Sequence, residues 1–306
     1  MKPTNRFVIE ACPLCEGKRL KQIMQCTDSH ASGETFGVCE CEDCHFRFTQ
    51  GAPYEVEMEG YYETSKYIPY SNSRKGTMNI FYHLARKYML NKKARLVMKE
   101  AHRRTGRILD IGAGTGYFAD SMAYNGWTVN ATEKSAEART FAKERFGLDI
   151  KDEMALYAYK PDSFNVITLW HVMEHLEHLN ETWDWIYELL TEKGLLVIAV
   201  PNCKSYDARK YKEHWAAYDV PRHLWHFTPA TIERLGYKHG FILASRYPMP
   251  LDAFYVSILS ERYRRKFLPF IRGLFIGVVA WFSTQFHKDK SSSMIYIFRK
   301  KQHEYE

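Results

Sequence analysis

From residue 106 onward the chain alternates short apolar runs with amphipathic stretches. "GRILDIG" (106–112), "WTVNATE" (127–133), "FNVITLW" (164–170) and "LLVIAVP" (195–201) read as strands, and "LDIKD" (148–152) as a weaker one among them. Between them, "YFADSMAYNG", "SAEARTFAKERFG" and "LNETWDWIYELLTEKG" carry apolar residues at helical spacing. The first of these stops near Gly126, and the second is framed by Ser135 as N-cap and Gly147 as its end. "LLVIAVP" is apolar throughout, as a strand buried on both faces requires. The regular alternation predicts a doubly wound α/β sheet. A polar, aromatic loop (202–227), a helix near 229–239 and a strand "FILASRYP" follow; then come an insertion (251–293) and a last strand "MIYIFRK".

Upstream the pattern changes. Residues 1–50 are rich in cysteine. Residues 51–76 are polar with Tyr54, Tyr61, Tyr62, Tyr67 and Tyr70, and read as a connecting loop. In 77–103, Ile80, Phe81, Leu84, Tyr88, Leu96 and Val97 fall at helical spacing, which predicts two lead-in helices or one bent helix.

The first strand runs into "LDIGAGTGYF", with glycine at 112, 114 and 116. Glycine there permits positive φ and close approach of backbone to a ligand, with helix N–H groups facing the crevice. Glu133, 21 residues after Gly112, ends the second strand, placed for two ribose hydroxyls. The spacing is Gly-x-Gly-x-Gly and not the dinucleotide Gly-x-Gly-x-x-Gly, and no Gly-Lys-Ser/Thr phosphate loop is present. Asp110 just before the turn would repel a pyrophosphate but welcome a ligand bearing an ammonium and a sulfonium.

These residues, with "SFNVITLWHVMEHL" as the fourth strand and beyond, resemble the class I S-adenosylmethionine-dependent methyltransferases. The resemblance implies a Rossmann-like, seven-stranded doubly wound sheet whose last strand is antiparallel. It assigns Asp110, Gly112, Gly114 and Gly116 to the first cofactor motif, Tyr117 and Phe118 to its wall, Glu133 to the ribose and Lys134 to the adenine flank. Asp152 or Glu153 matches the position near the adenine amine. Leu169, Trp170 and His171 close the fourth strand, where methyl donor meets acceptor.

Methyl transfer is an in-line displacement that needs alignment and exclusion of water, and an oxygen acceptor also needs a base or a metal for its proton. Histidines cluster in "WHVMEHLEHL" (His171, His175, His178) and "DVPRHLWHFT" (His223, His226), the latter with Asp219 and Arg222. His171 or His223 is the expected base, Glu174 orients a base or makes a helix-end contact, and His226 reads equally as a core histidine. The two stretches are similar to the branch containing quinone-biosynthesis O-methyltransferases, which implies an oxygen acceptor on a small or lipid-like molecule. The Asn/Asp-Pro-Pro-Tyr/Phe motif that grips base amines is absent.

Cys12-x2-Cys15 and Cys41-x2-Cys44 supply four thiolates for a tetrahedral structural zinc, with Cys39 a rival for Cys41. The 25 residues between the pairs would hold two strands of a zinc ribbon. The N-terminus has no apolar core like that of a signal peptide, which predicts a cytoplasmic chain with reduced cysteines. A net charge of +7, without a long basic run, permits anionic partners but does not demand them, so nucleic acid is not favoured.

The organisation expected is thus a zinc ribbon (1–50), a linker with lead-in helices (51–105) and a methyltransferase domain (106–301) carrying the insertion 251–293. "FLPFIRGLFIGVVAWFSTQF" (267–286) is too interrupted by Pro269 and Arg272 for a membrane span. It reads as a lid or core helix, or as a peripheral membrane contact over 262–286 with Arg262, Arg264, Arg265 and Lys266 at headgroups. Two other functions stay open: an RNA or protein methyltransferase docking through the ribbon, and a non-catalytic cofactor-binding module.

Overall fold

A computed structural model describes residues 6–62 and 77–302. The strands are β1 (Arg6–Phe7), β2 (Leu20–Thr27), β3 (Thr35–Cys41), β4 (Arg47–Gln50), β5 (Ala52–Pro53), β6 (Arg107–Ile111), β7 (Thr128–Thr132), β8 (Phe164–Trp170), β9 (Leu190–Pro201), β10 (Trp225–His226), β11 (Phe241–Met249) and β12 (Ser293–Lys300). The helices are α1 (Glu59–Tyr62), α2 (Thr77–Glu100), α3 (Tyr117–Tyr124), α4 (Ala136–Phe146), α5 (Leu179–Leu189), α6 (Tyr206–Tyr211), α7 (Pro229–Lys238), α8 (Asp252–Tyr263) and α9 (Pro269–Phe286).

The main sheet has the order β11-β12-β9-β8-β6-β7. β7, β6, β8 and β9 are parallel, and β12 lies antiparallel between β9 and β11. The doubly wound architecture with an antiparallel last strand is as the alternation and the resemblance implied. The expected seven strands are six among the described residues. "LDIKD" makes one parallel bridge, Thr132 to Lys151, and no ladder. Ile150 is buried and Leu148 half-buried beside it, Asp149 and Lys151 are exposed and pair with each other, and Asp152 at once caps a 3-10 turn (Glu153–Ala158). The helix expected to reach Gly194 ends at Leu189, because buried Leu190 already pairs with Phe164 and residues 191–194 bulge out of register.

The lead-in is a single helix, α2. Ala94 and Val97 pack under the sheet with Ile108, Val166 and Val197, whereas Tyr88 is exposed and not part of the buried face. The side chains of Ile80, Phe81 and Leu84, and the tyrosines at 67 and 70, lie outside the described residues. The stretch 202–227, expected as a loop, contains α6 and β10.

The cysteine-rich segment forms a second sheet of order β10-β4-β3-β2. Its fourth strand therefore comes from residues 225–226, far along the chain. Ile9, Leu14, Phe46 and Phe48 share one apolar core with Trp183, Leu196, Trp225 and Phe227. The expected boundary at residue 50 is thus not a boundary in the packing.

Candidate functional site

β6 enters the glycine turn with Asp110 inside the sheet and Gly112, Gly114 and Gly116 all left-handed, at φ 67°, 55° and 79°. A Cβ at Gly112 would strike Val172 at the end of β8, and one at Gly116 would press on Ala142 and Ile150 at 3.0 and 3.1 Å. The glycines are needed both for backbone conformation and for closure of the turn on its neighbours. Glu133 lies across the turn: Oε2 accepts the Gly114 N–H at 2.8 Å and Oε1 the Ser135 N–H at 2.9 Å. Each carboxylate oxygen keeps a lone pair for a further donor such as a hydroxyl.

Asp110 is buried and accepts the Thr168 hydroxyl at 2.6 Å. Burial pushes its pKa up to about 7, against the pull of that hydroxyl and of Lys93. Lys93 reaches in from α2 with its Nζ 4.2 Å from the Trp170 ring centroid, its own pKa lowered by burial against the charges of Asp252 and Asp110. Trp170 packs edge-on against Phe118 with centroids 5.1 Å apart.

The other residues expected at the cofactor have contacts of their own. Leu169 is fully buried in the core. Tyr117 packs on Phe146 of α4, at 4.9 Å between centroids. Lys134 pairs with Glu55 at 2.7 Å, which ties the linker to the rim. Asp152 caps Met154 and pairs with Arg139 at 3.0 Å. Its alternative Glu153 has a raised pKa, from burial and then the nearby Glu55.

Beyond Trp170 the chain turns sharply, with His171 left-handed at φ 59°. Its ring stands between two carboxylates: Nδ1 is 3.4 Å from Glu174 Oε1 and Nε2 is 3.4 Å from Asp252 Oδ2. Burial alone would lower its pKa, but the two acids raise it to about 9. At neutral pH His171 is therefore a cation, ready to donate and not to accept a proton. Glu174 is fully buried and, against the effect of burial, is held ionised by the His171 cation.

Two further histidines close the site, their rings edge-on with centroids 4.5 Å apart. His175 Nδ1 donates to the Arg222 carbonyl (3.0 Å) and His223 Nδ1 to the Ala217 carbonyl (2.9 Å). Those carbonyls fix Nδ1 as the donor in each ring, and His223 Nε2 lies 3.9 Å from Asp219 Oδ2. Burial and the neighbouring His223 lower the His175 pKa to about 4, so that ring is neutral. Ligand atoms of Glu174, His175 and His223 lie within 4.8 Å of one another, a spacing a divalent cation would accept. His226, by contrast, is buried with Nε2 3.0 Å from Thr49 Oγ1, a core histidine.

Arg222 holds this corner. It is buried, with its guanidinium on Asp219 (2.6 Å), on Asp28 of the ribbon (3.0 Å) and on the Tyr61 carbonyl (3.0 Å). Sequence reasoning passed over Lys93, Asp252 and Asp28. None belongs to a motif; each arrives from a separate element that only the fold brings to the site.

In the ribbon the four cysteines expected converge: Cys12 and Cys44 sulfurs are 3.4 Å apart, Cys15 and Cys41 3.6 Å, and all four lie within 4.8 Å. Cys39 lies outside the cluster. Zn–S bonds of ~2.3 Å set tetrahedral S···S edges of about 3.8 Å, so the donors fit zinc. Each knuckle turns through a left-handed residue after its second cysteine, Glu16 and His45, both at φ 61°.

A model of the methyltransferase domain family matches residues 81–245. A ubiquinone biosynthesis O-methyltransferase from Caulobacter sp. (strain K31) is 35% identical over 104 residues, which are 31% of this chain and 41% of that protein. The mitochondrial ubiquinone biosynthesis O-methyltransferase of Schizosaccharomyces pombe is 32% identical over 101 residues, 30% of this chain and 37% of that one. The chain thus spans about two fifths of the length of the curated relatives it matches. A solved phosphoethanolamine N-methyltransferase 2 from Haemonchus contortus superposes with a TM-score of 0.51 at 18% identity, covering 92% of this chain and 71% of that one, which shows a shared fold. With the glycine turn, Asp110 and Glu133 in place on that fold and more than half of the chain matched, this protein belongs to the methyltransferase domain family.

Proposed function

We propose that the chain transfers a methyl group from S-adenosylmethionine to an oxygen of a small, lipid-like acceptor. The observation that carries this reading is the adjacency of two unlike half-sites across Trp170–Val172. One is the acidic glycine turn of Asp110 and Glu133. The other is a histidine pair held to backbone carbonyls through Nδ1, with His223 Nε2 3.9 Å from Asp219 Oδ2. The first suits a cationic cofactor with a ribose. The second suits an acceptor that must lose a proton, with His223 as base and the His171 cation facing the charge that develops on oxygen. Two curated relatives named as O-methyltransferases support the oxygen acceptor. The exposed apolar segment 262–286 supports a lipid-like one.

A second way of handling the acceptor's proton has its own support. Glu174, His175 and His223 could together hold a divalent ion, which would acidify a bound hydroxyl. The cysteine cluster would hold a structural zinc that cross-links the ribbon. An RNA or protein acceptor gains little from the ribbon, because Lys238 and Asn180 already bind its first knuckle at the Pro13 carbonyl.

The test is to incubate the purified protein with methyl-labelled S-adenosylmethionine and an extract of its own cells, and then to separate lipid, small-molecule, RNA and protein fractions. Label in the first two is expected. Label in RNA or protein would overturn the acceptor, and tight cofactor binding with no label anywhere would favour a non-catalytic module.

A further inference from the structure

We propose that α9 lies in the interface of an anionic membrane, its aromatic and aliphatic side chains inserted among the lipids and its basic ends on the headgroups. The helix is built inside out. Its inward residues are small: Gly273, Gly277, Ala280 and Thr284 are the buried ones. They let it lie close on α8, where a Cβ at Gly273 would strike the Ile258 backbone and one at Gly277 would come 2.9 Å from the Phe254 Cα. The large residues face out. Phe267 is 85% exposed, Phe275 66% and Phe286 74%, and Phe270, Ile271, Leu274, Val278 and Phe282 are exposed with them. At three- and four-residue spacing these form one continuous stripe along a helix of about 27 Å.

A helix that packs on a soluble core buries its large apolar residues and exposes polar ones. This one does the reverse, over a patch larger than isolated surface hydrophobics account for. The charges select the occupant. Arg262, Arg265 and Lys266 are exposed just before the helix, and Lys288 is exposed just after it. The nearest acids are engaged: buried Glu261 pairs with Arg264 and Arg272, and Asp289 pairs with Arg246. A basic rim around an apolar stripe complements anionic lipid; a second copy of this chain would bring the same positive charge against it. Among the described residues no helix is long and apolar enough to cross a membrane, so α9 would lie along the surface and not span it.

The placement also concerns the site. α8, on which α9 rests, begins with Asp252, the carboxylate beside His171 Nε2. The surface that meets lipid and the acceptor half-site are therefore parts of one helical pair. This consequence rests on the lipid-like acceptor proposed above, whereas the docking itself does not.

Flotation of the full chain with vesicles of phosphatidylcholine alone, or with one third phosphatidylglycerol, tests it. Binding is expected only to the anionic vesicles. Phe275→Asp/Phe282→Asp should lose it, and Arg265→Glu/Lys266→Glu should weaken it by about fivefold or more per charge. All four positions are exposed, and circular dichroism checks that the variants fold. Absence of binding by the wild-type chain, or binding that both double variants retain, would overturn the proposal. So would a dimer in lipid-free solution that Phe275→Asp/Phe282→Asp dissociates, which would assign the stripe to a second copy. Flotation reads no turnover, so failure here leaves the methyl-transfer reading standing and failure of that reading leaves this one.

Discussion

Asp110 shows how a single residue is set for its ligand at the expense of the fold. Its pKa of about 7 in the folded chain lies above the ordinary 3.8, so the folded state binds an extra proton between those values. Stability from this group is therefore highest at low pH and falls as pH rises towards 7, the opposite of a salt-bridged aspartate. A cationic cofactor reverses the balance by favouring the carboxylate. We expect cofactor affinity to increase from pH 6 to 8, with release of about half a proton at pH 7. Calorimetry in buffers of different ionisation heat would measure it. Asp110→Asn should abolish both effects while raising thermal stability at pH 8; an unchanged proton release would show that another group titrates. The histidines make a second residue-scale case. His171 carries a folded pKa of about 9, above its ordinary 6.5. Its stabilising contribution is complete below about 6.5 and is lost as pH passes 9. If the cation assists turnover, kcat falls on the alkaline side near pH 9, and His171→Gln removes that limb. His223→Ala should lower kcat by roughly 10²–10⁴-fold with cofactor affinity nearly intact. Normal turnover in that variant would remove His223 as base and direct attention to the Glu174–His175 edge.

At the scale of elements, legibility followed burial. β8 and β9 were plain in the sequence because strands covered on both faces must be apolar along their whole length. The turn after β6 was plain because three alternate left-handed positions admit little but glycine. The third strand misled because Leu148 and Ile150, inward at alternate positions, imitate a strand in a stretch that makes a single bridge. The start of β9 was hidden for a related reason: "LTEKG" has a helical composition, and only the burial of Leu190 against Phe164 draws it into the sheet. For α9 the sequence displayed the apolar residues but not their direction. The glycines at 273 and 277, with Ala280 and Thr284, let α8 approach on that side and leave the phenylalanines on the other. The candidate site divides in the same way. The glycine turn with Asp110 was legible as a local motif, and Glu133 as the end of the next strand. The proposed acceptor half draws on α8, the ribbon and the 219–226 stretch, and no spacing within one segment records that.

At the scale of the molecule, the ribbon shares a sheet and a core with the rest of the chain and adjoins the proposed acceptor half-site. β4 pairs with β10, so Thr49 N–H meets the Leu224 carbonyl at 2.8 Å and Thr49 Oγ1 donates to the His223 carbonyl at 2.7 Å. Arg222, the residue before the proposed base, is held on the ribbon's Asp28. What fixes His223 from that side thus depends on strands that a metal on the four cysteines would cross-link. On the cofactor side, Asp110, Gly114 and Glu133 bond to the main sheet and to each other. Stripping zinc with a chelator, or Cys44→Ser, should therefore separate two properties that one rigid body would lose together. Methyl transfer should fall by at least tenfold and the thermal transition should drop, because a structural zinc site contributes on the order of 10 kcal/mol. Cofactor affinity by calorimetry should change by less than about threefold, since Gly114 is held by Glu133 and Asp110 by Thr168, all within the main sheet and its turns. The imidazole resonances of His175 and His223 should shift or broaden, a change that loss of an independent appendage would not cause. Asp28→Asn provides the control that leaves the cysteines untouched: it should disturb the same two resonances and slow turnover with zinc still bound. If metal removal instead abolishes cofactor binding, the ribbon holds the whole fold together. If it leaves both resonances and turnover unchanged, the shared sheet is not what positions His223.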